Sequence, residues 1–184
     1  DRKVLNFKKK EYQIPKYKNE ILIEEANLFC EWYLKKNLSK NKKDIFTKKF
    51  KKIIRKLTLN LKSKKKVFVH RDFHVSNLML VNNQIALIDN QDALIGNNAY
   101  DLASLIDDVR FKTSTAFKKR IFNFYLKNHI KFGKNNFKND FEILSILRNL
   151  KIIGIFTRLS VRDGKKSYLK LIPDAWELIN LRIN

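Results

Sequence analysis

Residues 67–89 read V-F-V-H-R-D-F-H-V-S-N-L-M-L-V-N-N-Q-I-A-L-I-D, and this stretch decides the fold. It contains three short apolar runs: Val67-Phe68-Val69, Leu78-Met79-Leu80-Val81 and Ile85-Ala86-Leu87-Ile88. Each has the length of a strand. The last two are separated by Asn82-Asn83, residues that tolerate the positive φ of a two-residue hairpin turn. A turn there pairs Val81 with Gln84 and, counting back, Asn77 with Ile88 and Ser76 with Asp89. Asn77 and Asp89 then meet at the open end of the hairpin. An amide oxygen beside a carboxylate makes a pair of hard ligands suited to Mg²⁺, which takes few protein ligands and leaves its other positions to water and phosphate.

Just upstream, Asp72 sits in the pattern H-R-D-x-x-x-x-N at residues 70–77, and Asp89 follows Asn77 by twelve positions. Phosphoryl transfer needs such a set: one carboxylate to orient the attacking hydroxyl and accept its proton, and two oxygen ligands to hold metal against nucleotide phosphates. Asp72 would be the base, with Asn77 and Asp89 on the metal. The rival reading is three polar residues decorating a hairpin end. A bare H-R-D tripeptide carries little weight; the spacing within its strand context favours the chemistry. His70 and His74 lie four apart, as zinc ligands can, but the segment reads as loop and His129 is far along the chain. His70 reads instead as a hydrogen bonder that fixes the loop. Ser76 has no Gly-flanked elbow to present it as a nucleophile.

Outward from this centre the period changes to that of helices. In residues 20–36, Leu22, Ala26, Phe29 and Tyr33 recur at spacings of four, three and four, which predicts an amphipathic helix. Pro15 ends whatever precedes it. Phe46, Phe50, Ile53 and Leu57 repeat the pattern behind a cap expected at Asp44, with residues 37–43 as a solvated basic loop. Helices are expected over 99–109, 115–131 and 141–159, and a last one after Pro173, where proline suits the first turn. The expected class is α+β, mainly helical, with residues 67–88 as the only β region.

Composition bounds the functions. The chain has 184 residues, 44% hydrophobic and 12% aromatic, enough for a real core, which excludes disorder as the main state. Its one cysteine, Cys30, permits neither an internal disulfide nor a cysteine-based zinc site, and points to a reducing compartment. The first ten residues carry charges throughout, and no apolar run approaches the roughly 20 residues of a membrane span. A soluble, cytoplasmic protein is expected, with no membrane partner. The 40 Lys+Arg against 18 Asp+Glu give a net charge of +22, which suits nucleic acid or an anionic surface. The lysines are nevertheless scattered from end to end, so nucleic acid is not the expected partner. Only Gly96, Gly133, Gly154 and Gly164 occur, which excludes both glycine-rich phosphate loops, GxGxxG and GxxxxGK[ST].

The runs V-H-R-D-F-H-V-S-N-L-M-L (69–80), I-D-N-Q-D-A-L-I-G (88–96) and A-Y-D-L-A-S-L-I-D-D (99–108) resemble the aminoglycoside phosphotransferase and choline kinase superfamily, whose fold is similar to that of protein kinases. More narrowly, E-E-A-N-L-F-C-E-W-Y-L (24–34), L-K-I-I-G-I-F-T-R-L-S-V-R-D-G-K (150–165) and Y-L-K-L-I-P (168–173) resemble the bacterial anomeric kinases of N-acetylmuramate and N-acetylglucosamine, which act in cell-wall recycling. The resemblance runs from about Pro15 to the last helix. It implies ATP and Mg²⁺, Asp72 as catalytic base and Asn77 and Asp89 as metal ligands. Asp101 it implies as a carboxylate bracing the catalytic loop, alongside His70 and Arg71. Asn90 departs from the pattern, where an aromatic is usual, and Ser160-Val161 stands where an aromatic or histidine often does.

Such a fold also needs an N-terminal strand lobe with a nucleotide-covering loop and a phosphate-pairing lysine. No lysine here sits in a V-A-I-K-like strand. Residues 1–184 are therefore read as the C-terminal, catalytic and substrate-binding lobe, inactive or nearly so alone: either a piece of a longer polypeptide or a gene product that has lost the other lobe, the first being favoured because Asp72, Asn77 and Asp89 all stand. For the amino sugar, Glu31 and Trp32 are candidate pocket residues, with Asp92 less defined. Arg158 and Arg162, four apart on one helix face, are candidate clamps for a carboxylate or phosphate. The bland readings are a core Trp32 beside a solvated Glu31, and a solvated basic face. The lysine-rich run 62–66 reads as a surface loop. Alternative functions are an aminoglycoside or choline kinase, and an inactive basic module that binds nucleic acid.

Overall fold

The computed structural model of the chain describes residues 4–7, 10–35 and 38–183. In chain order the elements are β1 (Val4–Phe7), β2 (Lys10–Gln13), α1 (Asn19–Leu28) continued by a π-helical segment (Phe29–Leu34), and α2 (Lys40–Leu59). There follow β3 (Lys66–Val69), β4 (Leu78–Val81), β5 (Gln84–Leu87), β6 (Leu94–Asn97) and α3 (Tyr100–Ile106). The chain continues with α4 (Thr115–His129), α5 (Lys134–Arg162) and α6 (Ile172–Ile183). It divides into two compact units, residues 1–18 with 62–141 and residues 19–61 with 142–184. No helix among the described residues is long and apolar enough to cross a membrane.

In the first unit, β4 and β5 form the expected hairpin, Val81 opposite Gln84 and Leu78 opposite Leu87. Asn82 and Asn83 take φ values of 48° and 58°, the left-handed pair that a two-residue turn matched to strand twist requires. The β content is larger than expected. β1 pairs with β2, and β6 pairs antiparallel with β3, Lys66 opposite Asn97. β6 is hydrogen-bonded on its other side too: Ile95 N–H donates to the Pro15 carbonyl and Tyr17 N–H to the Ile95 carbonyl, both at 2.8 Å. A strand covered on both edges and both faces shows no alternation, and Gly96 and Asn97 are poor strand formers, so Leu94–Asn97 carried no strand signal. Gly96 is needed there, because a Cβ would sit 2.9 Å from the Cβ of Tyr17. Val69, Ile95, Tyr100, Ala103 and Phe141 are among the buried residues of this unit.

In the second unit the first helix begins near its expected start, but from Phe29 it widens into the π segment. Phe29 is the hub of an aromatic cluster, with ring centroids 5.2 Å from Tyr33, 5.6 Å from Phe50 and 5.6 Å, edge-on, from Trp176. Cys30 is fully buried beside it, and burial pushes its thiol pKa up. α2 starts at Lys40 behind Ser39, not at Asp44, and Ser39 makes no side-chain cap bond. The helix therefore absorbs most of the expected loop; residue 37 lies outside the described residues. Its first turn has lysines and no acidic residue, the reverse of the usual helix-start signal. The helix expected over 141–159 starts earlier, at Lys134, after Gly133 at φ 71°. α6 carries Pro173 in its first turn, as expected.

Backbone meets backbone where α5 crosses α1. A Cβ on Gly154 would lie 2.4 Å from the Leu28 carbonyl carbon and 2.6 Å from the Phe29 nitrogen. Alanine is the better helix former by about 1 kcal/mol, yet here it must push two helices apart, and overpacking costs about 1–3 kcal/mol or more. With backbone atoms under 3 Å away the overpacking lies at its upper end, so Gly154→Ala is expected to destabilise by a net of about 2 kcal/mol. Denaturant unfolding of the two proteins checks the sign; a gain in stability would show that the helices can separate freely.

Candidate active site

β3 delivers the chain to His70, and the backbone then turns sharply: Arg71 has φ 74°, a left-handed conformation uncommon for a side chain of its size. The Asp101 carboxylate, on the first turn of α3, holds the turn. It accepts the His70 N–H at 2.7 Å and the Arg71 N–H at 3.2 Å. The His70 ring is buried, and its Nε2 lies 2.9 Å from the Ile88 carbonyl just past β5. A carbonyl only accepts, so Nε2 carries the proton in this contact. The Arg71 guanidinium donates to the Asp92 carbonyl at 3.1 Å and lies over the Tyr17 ring, 5.5 Å from its centroid. His70, Arg71 and Asp101 thus tie together the end of β3, the end of β5 and the start of α3.

Asp72 follows the turn. Its backbone carbonyl accepts the His74 N–H at 3.0 Å and the Asn77 amide Nδ2–H at 2.9 Å. Its carboxylate is half-exposed and, among the described residues, accepts no hydrogen bond and joins no ion pair. Asn77 is buried, and because its Nδ2 is committed to Asp72, its Oδ1 faces away from that bond. The hairpin ladder extends one step past β4 and β5, the Ile88 N–H donating to the Asn77 carbonyl at 3.2 Å. Asp89 comes next in the chain, beyond the strand, at φ 67°, exposed, with the Gln91 amide donating to its Oδ1 at 2.6 Å. Aspartate is among the few residues that adopt this conformation readily. Asp92 is exposed close by, its carbonyl engaged by Arg71.

The remaining candidates belong to the second unit. Glu31 is exposed and accepts the Asn27 amide at 2.7 Å; Trp32 is half-buried. Arg162 is engaged by its neighbour Asp163 through two contacts at 2.7 and 3.0 Å, which raises the arginine pKa and lowers that of the aspartate. Arg158 is half-buried, and among the described residues its Nε is buried without a hydrogen-bond partner. No group of three or more His, Cys, Asp or Glu side chains gathers to hold a metal among the described residues.

Two polar centres of the first unit gave no signal in the sequence. Asp140, fully buried, accepts four N–H donors: the backbones of Lys62 and Ser63 at 2.7 and 2.8 Å, and the amides of Asn97 and Asn139 at 2.6 and 3.0 Å. Lys118, also buried, donates to the Ile106 carbonyl and lies 3.5 Å from the Asp107 carboxylate. Tyr17 beneath Arg71 likewise comes from far along the chain.

Asp101→Ala is expected to lower both stability and activity. It leaves two backbone donors without their acceptor, at about 1–3 kcal/mol for each that stays dry, and releases a turn whose φ is held by those bonds. Asp101→Asn keeps one acceptor oxygen and should recover part of the loss. Thermal melts of both variants check this; an unchanged melting temperature for Asp101→Ala would remove the bracing role.

Residues 12–134 match the phosphotransferase enzyme family. Proteins named N-acetylmuramate/N-acetylglucosamine kinase are similar to the chain over most of its length. That of Neisseria meningitidis serogroup B is 35% identical over 166 residues, covering 87% of this chain and 50% of the relative. That of Pseudomonas aeruginosa is 32% identical over 166 residues, covering 87% and 49%, and that of Pseudomonas putida 30% identical over 175 residues, covering 91% and 51%. The chain thus spans about half the length of the curated relatives it matches.

Proposed function

We propose that this chain, which belongs to the phosphotransferase enzyme family, carries the acceptor-activating side of an ATP-dependent kinase whose substrate is an amino sugar of the N-acetylmuramate or N-acetylglucosamine type. The observation that supports it most is the pairing of a free Asp72 carboxylate with an Asn77 amide oriented by Asp72's own carbonyl. The proposed step is an in-line transfer. Asp72 orients the sugar hydroxyl and takes its proton as the oxygen bonds to the γ-phosphorus, and the bond from that phosphorus to the ADP oxygen breaks. The anomeric hydroxyl is the position that the resemblance of residues 24–34 and 150–173 to the anomeric sugar kinases implies.

The donor set fits Mg²⁺: Asn77 Oδ1 and the Asp89 carboxylate are hard oxygens, Asp89 following directly on the Ile88 that pairs with Asn77, and they are few enough to leave positions for phosphate. When bound there, the ion would neutralise charge on the transferring phosphate. Asp89 keeps its second oxygen outside the Gln91 contact, and the Asn77 bond to Asp72 fixes which end of the amide is offered. His70, Arg71 and Asp101 then serve as positioning residues. We place the nucleotide-covering lobe outside these residues: no described strand reads like the lysine-bearing strand of a kinase, and the relatives are about twice as long. The exposed apolar faces of Leu80, Ile85 and Leu87 on the hairpin would form one wall of the nucleotide cleft.

An ADP-release assay with ATP and Mg²⁺, run on the complete polypeptide, tests the reading with four acceptors: N-acetylmuramate, N-acetylglucosamine, choline and an aminoglycoside. Turnover is expected with the two amino sugars only. Turnover with choline or the aminoglycoside alone would move the protein to another branch of the family, and none with any acceptor would sink the kinase reading.

A further inference from the structure

Away from the catalytic loop, the first unit holds a cavity of about 370 Å³, a size that small-molecule ligands occupy. Lys62, Lys64 and Lys65 line it together with Asn98, Asn136 and Phe132, and no Asp or Glu is among its lining residues. Among the described residues no ion pair engages any of these three lysines. The rim is fixed by hydrogen bonds. Buried Asp140 accepts the N–H groups of Lys62 and Ser63, and the Ser63 hydroxyl donates to the Asn98 side-chain oxygen at 3.0 Å. Three exposed lysines within four residues thus line one cavity, on a backbone anchored at Lys62 and Ser63, and their mutual repulsion is a cost that a bound anion would relieve. A multiply charged anion relieves it most, because one ligand neutralises several ammonium groups.

We propose that this cavity binds a polyvalent phosphate anion. It is separate from the catalytic loop: the lysines precede β3 and His70 follows it, and a four-residue strand spans about 13 Å. Phe132 on the cavity wall is 91% exposed, an aromatic face of the kind on which a base or sugar ring stacks. The phosphate could thus be free or carried on a nucleoside. The proposal stands apart from the kinase reading, since nothing in it uses Asp72.

Calorimetric titration of the Asp72→Asn protein with sodium pyrophosphate, in EDTA and at low salt, tests it without contribution from metal-dependent binding. Saturable one-to-one binding is expected, weakened about 30-fold or more when Lys62, Lys64 and Lys65 are all replaced by Ala, because charge-assisted contacts are lost. A control replaces the exposed Lys48, Lys49 and Lys52 of α2. Both variants lose three positive charges, so net charge cannot separate them. Absence of saturable binding, or equal loss in the two triple variants, overturns the site. Uridine diphosphate supplies the second arm. If it binds more tightly than pyrophosphate and Phe132→Ala removes the difference, the site takes a nucleotide; equal affinities assign it to a free phosphate anion.

Discussion

Asp72→Asn is expected to lower kcat by about 10²- to 10⁴-fold, the usual loss when a positioned base is removed, while the melting temperature stays within about 2 °C. The two effects separate because two parts of Asp72 do different work. Its carbonyl holds the loop, accepting from His74 and from the Asn77 amide. The substitution leaves both bonds in place. Its carboxylate is half-exposed and holds nothing among the described residues, so an isosteric amide costs the fold little. What the amide cannot do is accept a proton or offer a charge to the reacting hydroxyl. Single-turnover rates and thermal melts of the complete polypeptide give both readings. A variant that melts early and keeps its rate would make Asp72 a structural residue, and the base would have to be sought elsewhere.

The part of this site legible in the sequence was the part fixed by local rules. Two asparagines that tolerate φ above zero define the turn, and a period of two sets the register. Counting back from Asn82-Asn83 therefore reached the Asn77 and Ile88 pairing that the ladder shows. The same counting put Ser76 opposite Asp89, and there the pairing stops: residues 75–77 form a 3-10 turn and Asp89 leaves the extended conformation at φ 67°. Helices with strong apolar spacing were legible as elements, and their boundaries less so. α2 begins in a lysine run because its buried face, with Phe50, Ile54 and Thr58, outweighs the poor start.

Illegible were the features set by contacts between distant residues. β6 is a strand only because β3 and the segment after Pro15 supply partners on its two edges. The passage from α1 into the π segment falls at Leu28 and Phe29, the backbone atoms on which Gly154 rests. An isolated glycine within an apolar helix signals a close approach but not its partner. Asp140 is the extreme case. It lies 78 and 77 residues from the two backbone donors it accepts, in a stretch of Asn, Lys and Asp that reads as solvated.

Asp140→Ala is accordingly expected to have the largest effect on stability in the first unit. A fully buried carboxylate with four N–H donors cannot be replaced by a methyl group without leaving those donors unpaired. Each that water fails to reach costs about 1–3 kcal/mol. The two backbone donors belong to a loop that can open to solvent, so part of the penalty is recovered, while the Asn97 amide is buried and its loss is not. A total of about 3–5 kcal/mol follows from the unpaired donors that stay dry, or a fall in melting temperature on the order of 10 °C. Asn97 also accepts the Ala99 N–H through its Oδ1 just before α3. Its displacement would disturb the start of the helix that carries Asp101. The lysine cavity should suffer as well, because the backbone of Lys62 and Ser63 loses its anchor while every lysine remains. Asp140→Ala should therefore weaken pyrophosphate binding without removing a single cation, which separates a built site from a diffuse positive surface. Thermal melts, denaturant unfolding and the pyrophosphate titration on this one variant check all three consequences. Stability within 1 kcal/mol or so of the parent would mean that water satisfies the orphaned donors, and that the rim needs no carboxylate to hold its shape.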